Sequence, residues 1–82
     1  MATEENARWR KNIRLGMKVE IVQKRNQPTG ITTEGIVRWI LTSKDYHSYG
    51  IKVLIDDRKV GRVQKILSPP EWEIVTHEMR NI

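Results

Sequence analysis

Apolar and polar side chains alternate with a period of two through the middle of the chain. Met17, Val19 and Ile21 fall on one face and Lys18 and Glu20 on the other, the pattern of a half-buried strand. A polar run through Lys24, Arg25, Pro28 and Gly30 follows. Pro lacks the donor that strand pairing needs, so this run predicts a projecting loop. Residues 35–41, 50–55 and 59–66 then read as three consecutive strands, rich in Val and Ile and separated by Gly- and Asp-containing loops. In 35–41, Ile36 and Ile40 share one face while Val37, Trp39 and Leu41 share the other. A strand apolar on both sides needs cover on both sides, here from the barrel interior and from a terminal segment or second subunit. In 59–66, Val60, Val63 and Ile66 leave strict alternation around Gly61, which predicts a bulge or bend at that glycine.

The ends read differently. Thr3, Glu4 and Glu5 resemble a helix start, with acids near the positive end of the macrodipole. Arg8, Arg10, Lys11 and Arg14 follow, Gly16 would stop the helix, and Trp9 and Ile13 at i and i+4 would touch the barrel. The competing expectation is a basic arm disordered until something binds it. At the other end, Ser68, Pro69, Pro70 and Glu71 make a capping-box start. Trp72, Val75 and Met79 then share one helical face, although Trp72 and Ile74 also alternate with Glu73 as in a strand. The expected division is an N-terminal arm or short helix over 1–15, a barrel over 16–67 and a C-terminal capping helix over 68–82.

Composition narrows the function classes. A chain of 82 residues makes one domain with a modest core. There is no Phe, so Trp9, Trp39, Trp72 and the β-branched residues are expected to fill that core. The absence of Cys removes disulfides, thiolate nucleophiles and Cys-based zinc sites. No apolar run follows the polar start and none is long enough to span a bilayer, so the plain expectation is a cytoplasmic protein. The net charge of +5 is unevenly placed. Residues 1–7 carry two acids, residues 8–65 carry 14 Lys or Arg against five Asp or Glu, and residues 66–82 carry one Arg against three Glu, giving −2, +9 and −2. A positive field concentrated on the barrel points to a polyanionic or acidic partner.

Candidate chemistry is sparse. Tyr46, His47 and Tyr49 lie beside Lys44 and Lys52. Rings next to cations suit unstacked bases and their phosphates, or a cationic side chain caged by aromatics. Gly30 to Gly35 lacks the Lys-Ser or Lys-Thr ending of a phosphate-binding loop and reads as turn geometry. Asp45, His47 and Ser48 sit too close on an extended chain to converge as a triad, which is assembled from separated segments. Asp56 and Asp57 read as turn formers. His47 and His77, the only imidazoles, have no partner at a metal-ligand spacing. No enzyme, metal or cofactor is expected.

Over residues 13–66 the chain resembles the YwbE-like family of small uncharacterised proteins. The matching runs are Thr29-Gly30, Gly35-Ile36-Val37, Ile40-Leu41-Thr42, His47 with Gly50-Ile51-Lys52-Val53, and Val60-Gly61-Arg62-Val63-Gln64-Lys65-Ile66. The resemblance implies no particular activity. Against the family's pattern, Pro28 and Glu34 stand where bases are usual, Tyr49 where a second His is usual, and Arg58 where a Gly follows Asp57. The last change argues against a tight Asp-Gly hairpin. More loosely, the Gly-x-x-Val-x-Ile opening and the Gly-Ile-Val run look like the SH3-like barrels of ribosomal and transcription-elongation proteins. That likeness implies a mainly β fold, a small SH3-like barrel of about five strands, in a class that commonly binds RNA or protein.

The leading expectation is a non-catalytic barrel that binds RNA, or less readily single-stranded DNA. Lys24, Arg25, Arg38, Lys44, Lys52, Arg62 and Lys65 would contact phosphates, and Tyr46, His47 and Tyr49 would stack bases. The alternative is a protein-interaction module that docks an acidic or extended peptide, or self-associates through exposed strands as a weak homodimer.

Overall fold

In the computed structural model, which describes residues 2–73, four strands close into an antiparallel barrel: β1 (Lys18–Val22), β2 (Thr32–Ile40), β3 (Lys52–Ile55) and β4 (Val60–Ser68). The order around the barrel is β1-β2-β3-β4, with β4 returning to β1. The long strands β2 and β4 are each shared between β1 and β3. Thr32 to Ile36 of β2 pairs with β1, while Val37 to Ile40 pairs with β3. The expected β-barrel is therefore present, with four regular strands where about five were read.

The N-terminal segment packs against the barrel beside residues 45–51. Instead of one α-helix it forms two short 3-10 turns, Glu5–Arg8 and Arg10–Asn12. Between and around them its backbone runs antiparallel to residues 45–51. Arg10 donates to the Asp45 carbonyl, His47 to Arg8 and Ile51 to Ala7, and Trp9 bridges to Tyr46. Ala7 and Ile13 are buried in the core. Glu, Ala, Arg and Lys in this stretch favour a helix on their own, but the backbone partners outside the segment favour turns that keep them in reach.

The core is aliphatic. Met17, Val19, Ile21, Val37, Ile51, Val53, Ile55 and Val63 are buried together with Ala7 and Ile13, and Ile40 and Ile66 pack against them. β-Branched side chains suit the crowded inner face of a small barrel, and each full burial is worth about 1.5–3 kcal/mol. No tryptophan contributes. Trp39 and Trp72 are exposed and Trp9 is half-buried, which corrects the expectation that the three indoles fill the interior.

Two local departures from alternation explain the geometry. On β2 the register slips between Val37 and Trp39, leaving Arg38 as the extra residue. Val37 and Ile40 consequently point inward and Trp39 outward, so Val37 and Trp39 do not share a face. On β4 the slips lie opposite Glu20/Ile21 and Lys18/Val19, which places the extra residues at Gln64 and Leu67 and not at Gly61. Gly61 has a different task. A Cβ there would meet the Val22 backbone at 2.5 Å, so the glycine permits the close approach that shuts the barrel.

The β3–β4 connection is tight despite the missing glycine. Arg58 donates to the Ile55 carbonyl and Ile55 to that of Lys59, with Arg58 itself at φ 57. A type I turn followed by a left-handed residue is a common three-residue hairpin, and here an arginine occupies the left-handed position. After β4, a helical turn starts at residues 71–73. The Trp72 indole donates to the Leu15 carbonyl and Arg14 pairs with Glu73 at 2.7 Å. The rest of the expected capping helix, including Val75 and Met79, lies outside the described residues.

Candidate nucleic-acid interface

The outer face of β2, β3 and β4 carries two rows of side chains. Buried Val53 and Ile55 point inward, so Lys52 and Leu54 point outward. Leu54 is opposite Trp39 on one side and Val60 on the other, making an apolar row Trp39–Leu54–Val60. Lys52 is opposite Arg62, and Leu41 donates its backbone N–H to the Lys52 carbonyl, making a second row Leu41–Lys52–Arg62. Two cations directly opposite on one face repel each other, typically at a cost of a few tenths to about 1 kcal/mol.

The loop before β3 brings further groups to the same place. Thr42 Oγ1 accepts from the Lys52 N–H at 2.7 Å, and Arg62 donates to the Gly50 carbonyl at 3.2 Å. Gly50 sits at φ 99, where a Cβ would clash with the Val63 carbonyl. Only glycine fits there, and the close packing fixes the loop onto β4 beside Arg62. His47 Nδ1 accepts the Tyr49 N–H at 3.1 Å, and the His47 and Tyr49 rings lie 6.0 Å apart. Desolvation, then the Arg62 and Lys44 charges, hold the His47 pKa below the ordinary imidazole value. His47 is thus neutral at pH 7, with Nδ1 occupied as an acceptor. Tyr49 is 59% exposed and Trp39 60% exposed.

The ten residues singled out from the sequence divide into groups. Lys44, His47, Tyr49, Lys52 and Arg62 come together, with exposed Arg38 beside Trp39 on β2. Lys24 and Arg25 occupy a short turn, Lys24–Asn26, just beyond Val22, whose partner on β4 is Arg62. Tyr46 is 39% exposed but meets the Trp9 ring edge-on at 4.8 Å, with Lys11 over that indole. It anchors the N-terminal segment. Lys65 stands apart, facing out directly opposite Glu20 of β1. Arg38, Lys44 and Lys52 make no ion pair among the described residues, where the pairs are Arg8–Glu5, Arg14–Glu73, Lys18–Glu34 and Lys59–Asp57.

Two residues were missed in the sequence. Trp39 was read as core because nothing in the pattern reveals the bulge that turns it out. Gln64, buried, accepts from the Thr3 hydroxyl at 2.7 Å and donates to the Tyr49 and Arg62 carbonyls at 3.0 and 3.2 Å. Nothing in the pattern of β4, which also carries Arg62 and Lys65, marks that glutamine as buried.

Elsewhere, an open groove between Lys18, Glu34, Gly35, Ile36, Asp56 and Asp57 lies at the other end of β3. Its carboxylates are engaged: Asp56 accepts the Ile36 N–H, and Glu34 and Asp57 pair with lysines. Among the described residues no three His, Cys, Asp or Glu gather as a metal site, and no helix is long and apolar enough to cross a membrane.

Residues 6–66 match the family model described as "Uncharacterized conserved protein (DUF2196)". The chain is 44% identical over 63 residues to the "Uncharacterized protein YwbE" of Bacillus subtilis (strain 168), covering 77% of this chain and 97% of that one. No solved structure matches. The chain belongs to this YwbE-like uncharacterised family, and the matched region takes in the N-terminal turns from Asn6 onward and the barrel as far as Ile66, two residues short of the end of β4.

Proposed function

We propose that this member of the family is a non-catalytic barrel that binds single-stranded nucleic acid, RNA before DNA, on the outer face of β3 and β4. The observation that carries the reading is the Lys52–Arg62 pair, opposite on one face and without a carboxylate between them. A fold gains nothing from such a pair by itself. A phosphate bridging the two cations would turn the repulsion into attraction. Lys44, Arg38 and the Lys24–Arg25 turn extend the positive field, and the exposed ring of Tyr49 offers a base-stacking surface next to it.

Titrating a labelled oligoribonucleotide at several salt concentrations tests this. Micromolar or tighter binding is expected, weakening as salt rises, with the slope reduced by about 0.7 in each of Lys52→Ala and Arg62→Ala. Binding indifferent to salt, or none at micromolar protein, removes the reading.

A second reading is favoured by the exposed apolar row Trp39–Leu54–Val60, which suits a protein partner with apolar anchors and acidic flanks. Each strand pairs with two neighbours, so such a partner would dock on the face and not add a strand at an open edge. Capture of a partner that survives nuclease treatment is its distinguishing result.

A further inference from the structure

Resting on the nucleic-acid reading above, we infer that Trp39 is a base-stacking platform, and that the site therefore takes unpaired strands with little regard to base sequence. The exposure of Trp39 follows from one backbone feature. Strict alternation from Val37 would carry the indole onto the buried face. The slip at Arg38 puts Ile40 inside and Trp39 outside. A chain with no Phe and a small core leaves its largest apolar side chain in water, and forgoes the stabilisation its burial would bring. Bulges that re-aim a side chain are concentrated beside binding sites.

The neighbours define the ligand. Along β3 the apolar row and the cationic row are two residues apart, about 6.5 Å, comparable to the separation of a base from its own phosphate. A base laid on Trp39 and against Leu54 thus places its backbone over Lys52 and Arg62, with Arg38 flanking. Leu54 and Val60 have no polar atoms with which to read a base edge, so any base is accepted on its face. A duplex keeps its base faces stacked inside and cannot present one to the indole. Tyr49, beyond Arg62 across the Gly50 carbonyl, is placed to receive a second base.

The test uses the full chain with two fluorescein-labelled probes, an oligouridylate of about ten nucleotides and an RNA duplex of the same length, followed by anisotropy from about 50 to about 200 mM salt. Trp39→Ala is expected to weaken oligouridylate binding about 5- to 150-fold without altering the salt slope. Trp39→Phe is expected to retain most of the affinity, and the duplex to bind at least about tenfold more weakly than the single strand. Because Trp39 is outside the core, the variants fold, and far-UV circular dichroism verifies it. Salt-dependent binding that Trp39→Ala leaves intact, or equal affinity for both probes, overturns the stacking role while the phosphate-binding face stands. Absence of salt-dependent binding to either probe overturns both. An acidic, leucine-containing peptide that binds through Trp39 more tightly than oligouridylate assigns the face to a protein partner and also overturns the inference.

Discussion

The carboxamide nitrogen of Gln64 lies 3.0 Å from the carbonyl oxygen of Tyr49. The same side chain reaches the Thr3 hydroxyl and the Arg62 carbonyl, and its backbone carbonyl accepts from Glu4. One buried glutamine thus ties together the N-terminal segment, the aromatic loop and the strand that presents Arg62. Gln64→Leu deletes three side-chain hydrogen bonds and leaves polar partners without replacements. It is expected to destabilise the fold by about 1–3 kcal/mol, read as a lower urea midpoint at unchanged m-value. An unshifted midpoint would show that the tie is inconsequential.

Lys52 and Arg62 should show opposite effects on stability and on binding. Lys52→Glu replaces a repulsive cross-strand pair by an attractive one, so stability rises by about 0.2–1 kcal/mol. The same change places a carboxylate where a phosphate is proposed to sit, and RNA affinity collapses. Urea unfolding and anisotropy on one preparation of the variant give both numbers. A destabilised variant that still binds would contradict the account.

Arg58 occupies the left-handed region at φ 57, which costs a residue bearing a Cβ about 1–2 kcal/mol. Arg58→Gly removes that strain, partly offset by the greater freedom of glycine in the unfolded chain. A net gain of about 0.5–1 kcal/mol is expected, visible as a melting temperature a few degrees higher. No change or a lower melting temperature would mean the turn is relaxed as it stands.

His47 provides a pH signature. Its pKa is lowered by desolvation and by the Arg62 and Lys44 charges, so the unfolded chain takes up a proton more readily than the folded protein. The associated stability is present above the unfolded value of about 6.5 and is lost as pH falls through the folded pKa. A bound polyanion opposes the two cations and raises the His47 pKa, so RNA binding takes up protons and tightens as pH falls through the pKa of the RNA-bound imidazole. His47→Gln should flatten both profiles. An NMR titration of the imidazole, with and without RNA, measures the shift directly, and a His47 pKa unmoved by RNA would place the ligand elsewhere.

Much of the barrel was legible because Val and Ile recur at strand spacing: Val19 and Ile21, Val53 and Ile55, and the Ile51 that precedes β3 all turn inward as period two demands. Where period two breaks, the sequence misled. A bulge needs no special residue, so the slip at Arg38 left Trp39 and Val37 reading as one face, and the irregularity on β4 was attributed to Gly61 when it lies at Gln64 and Leu67. The N-terminal turns were obscure for another reason. Their hydrogen bonds go to residues 45–51 and 64, far along the chain, and local composition carries no trace of such partners. Of the candidate site, Lys52 could be guessed from alternation, but Lys65, which strict alternation from Val63 would turn inward, faces out because of the extra residue at Gln64 and ends opposite Glu20. Which faces of a barrel join depends on strand pairing, and pairing is not written in any one strand.

An interior built wholly of aliphatic side chains means that the protein's natural chromophores watch its surface. Trp39 and Trp72 emit from positions open to solvent and Trp9 from a half-covered one. Denaturation should therefore move the emission maximum only slightly. A base stacked on Trp39 would quench its share of the emission, whereas an apolar protein surface would shift that share to the blue, so the molecule carries its own optical probe for what it meets.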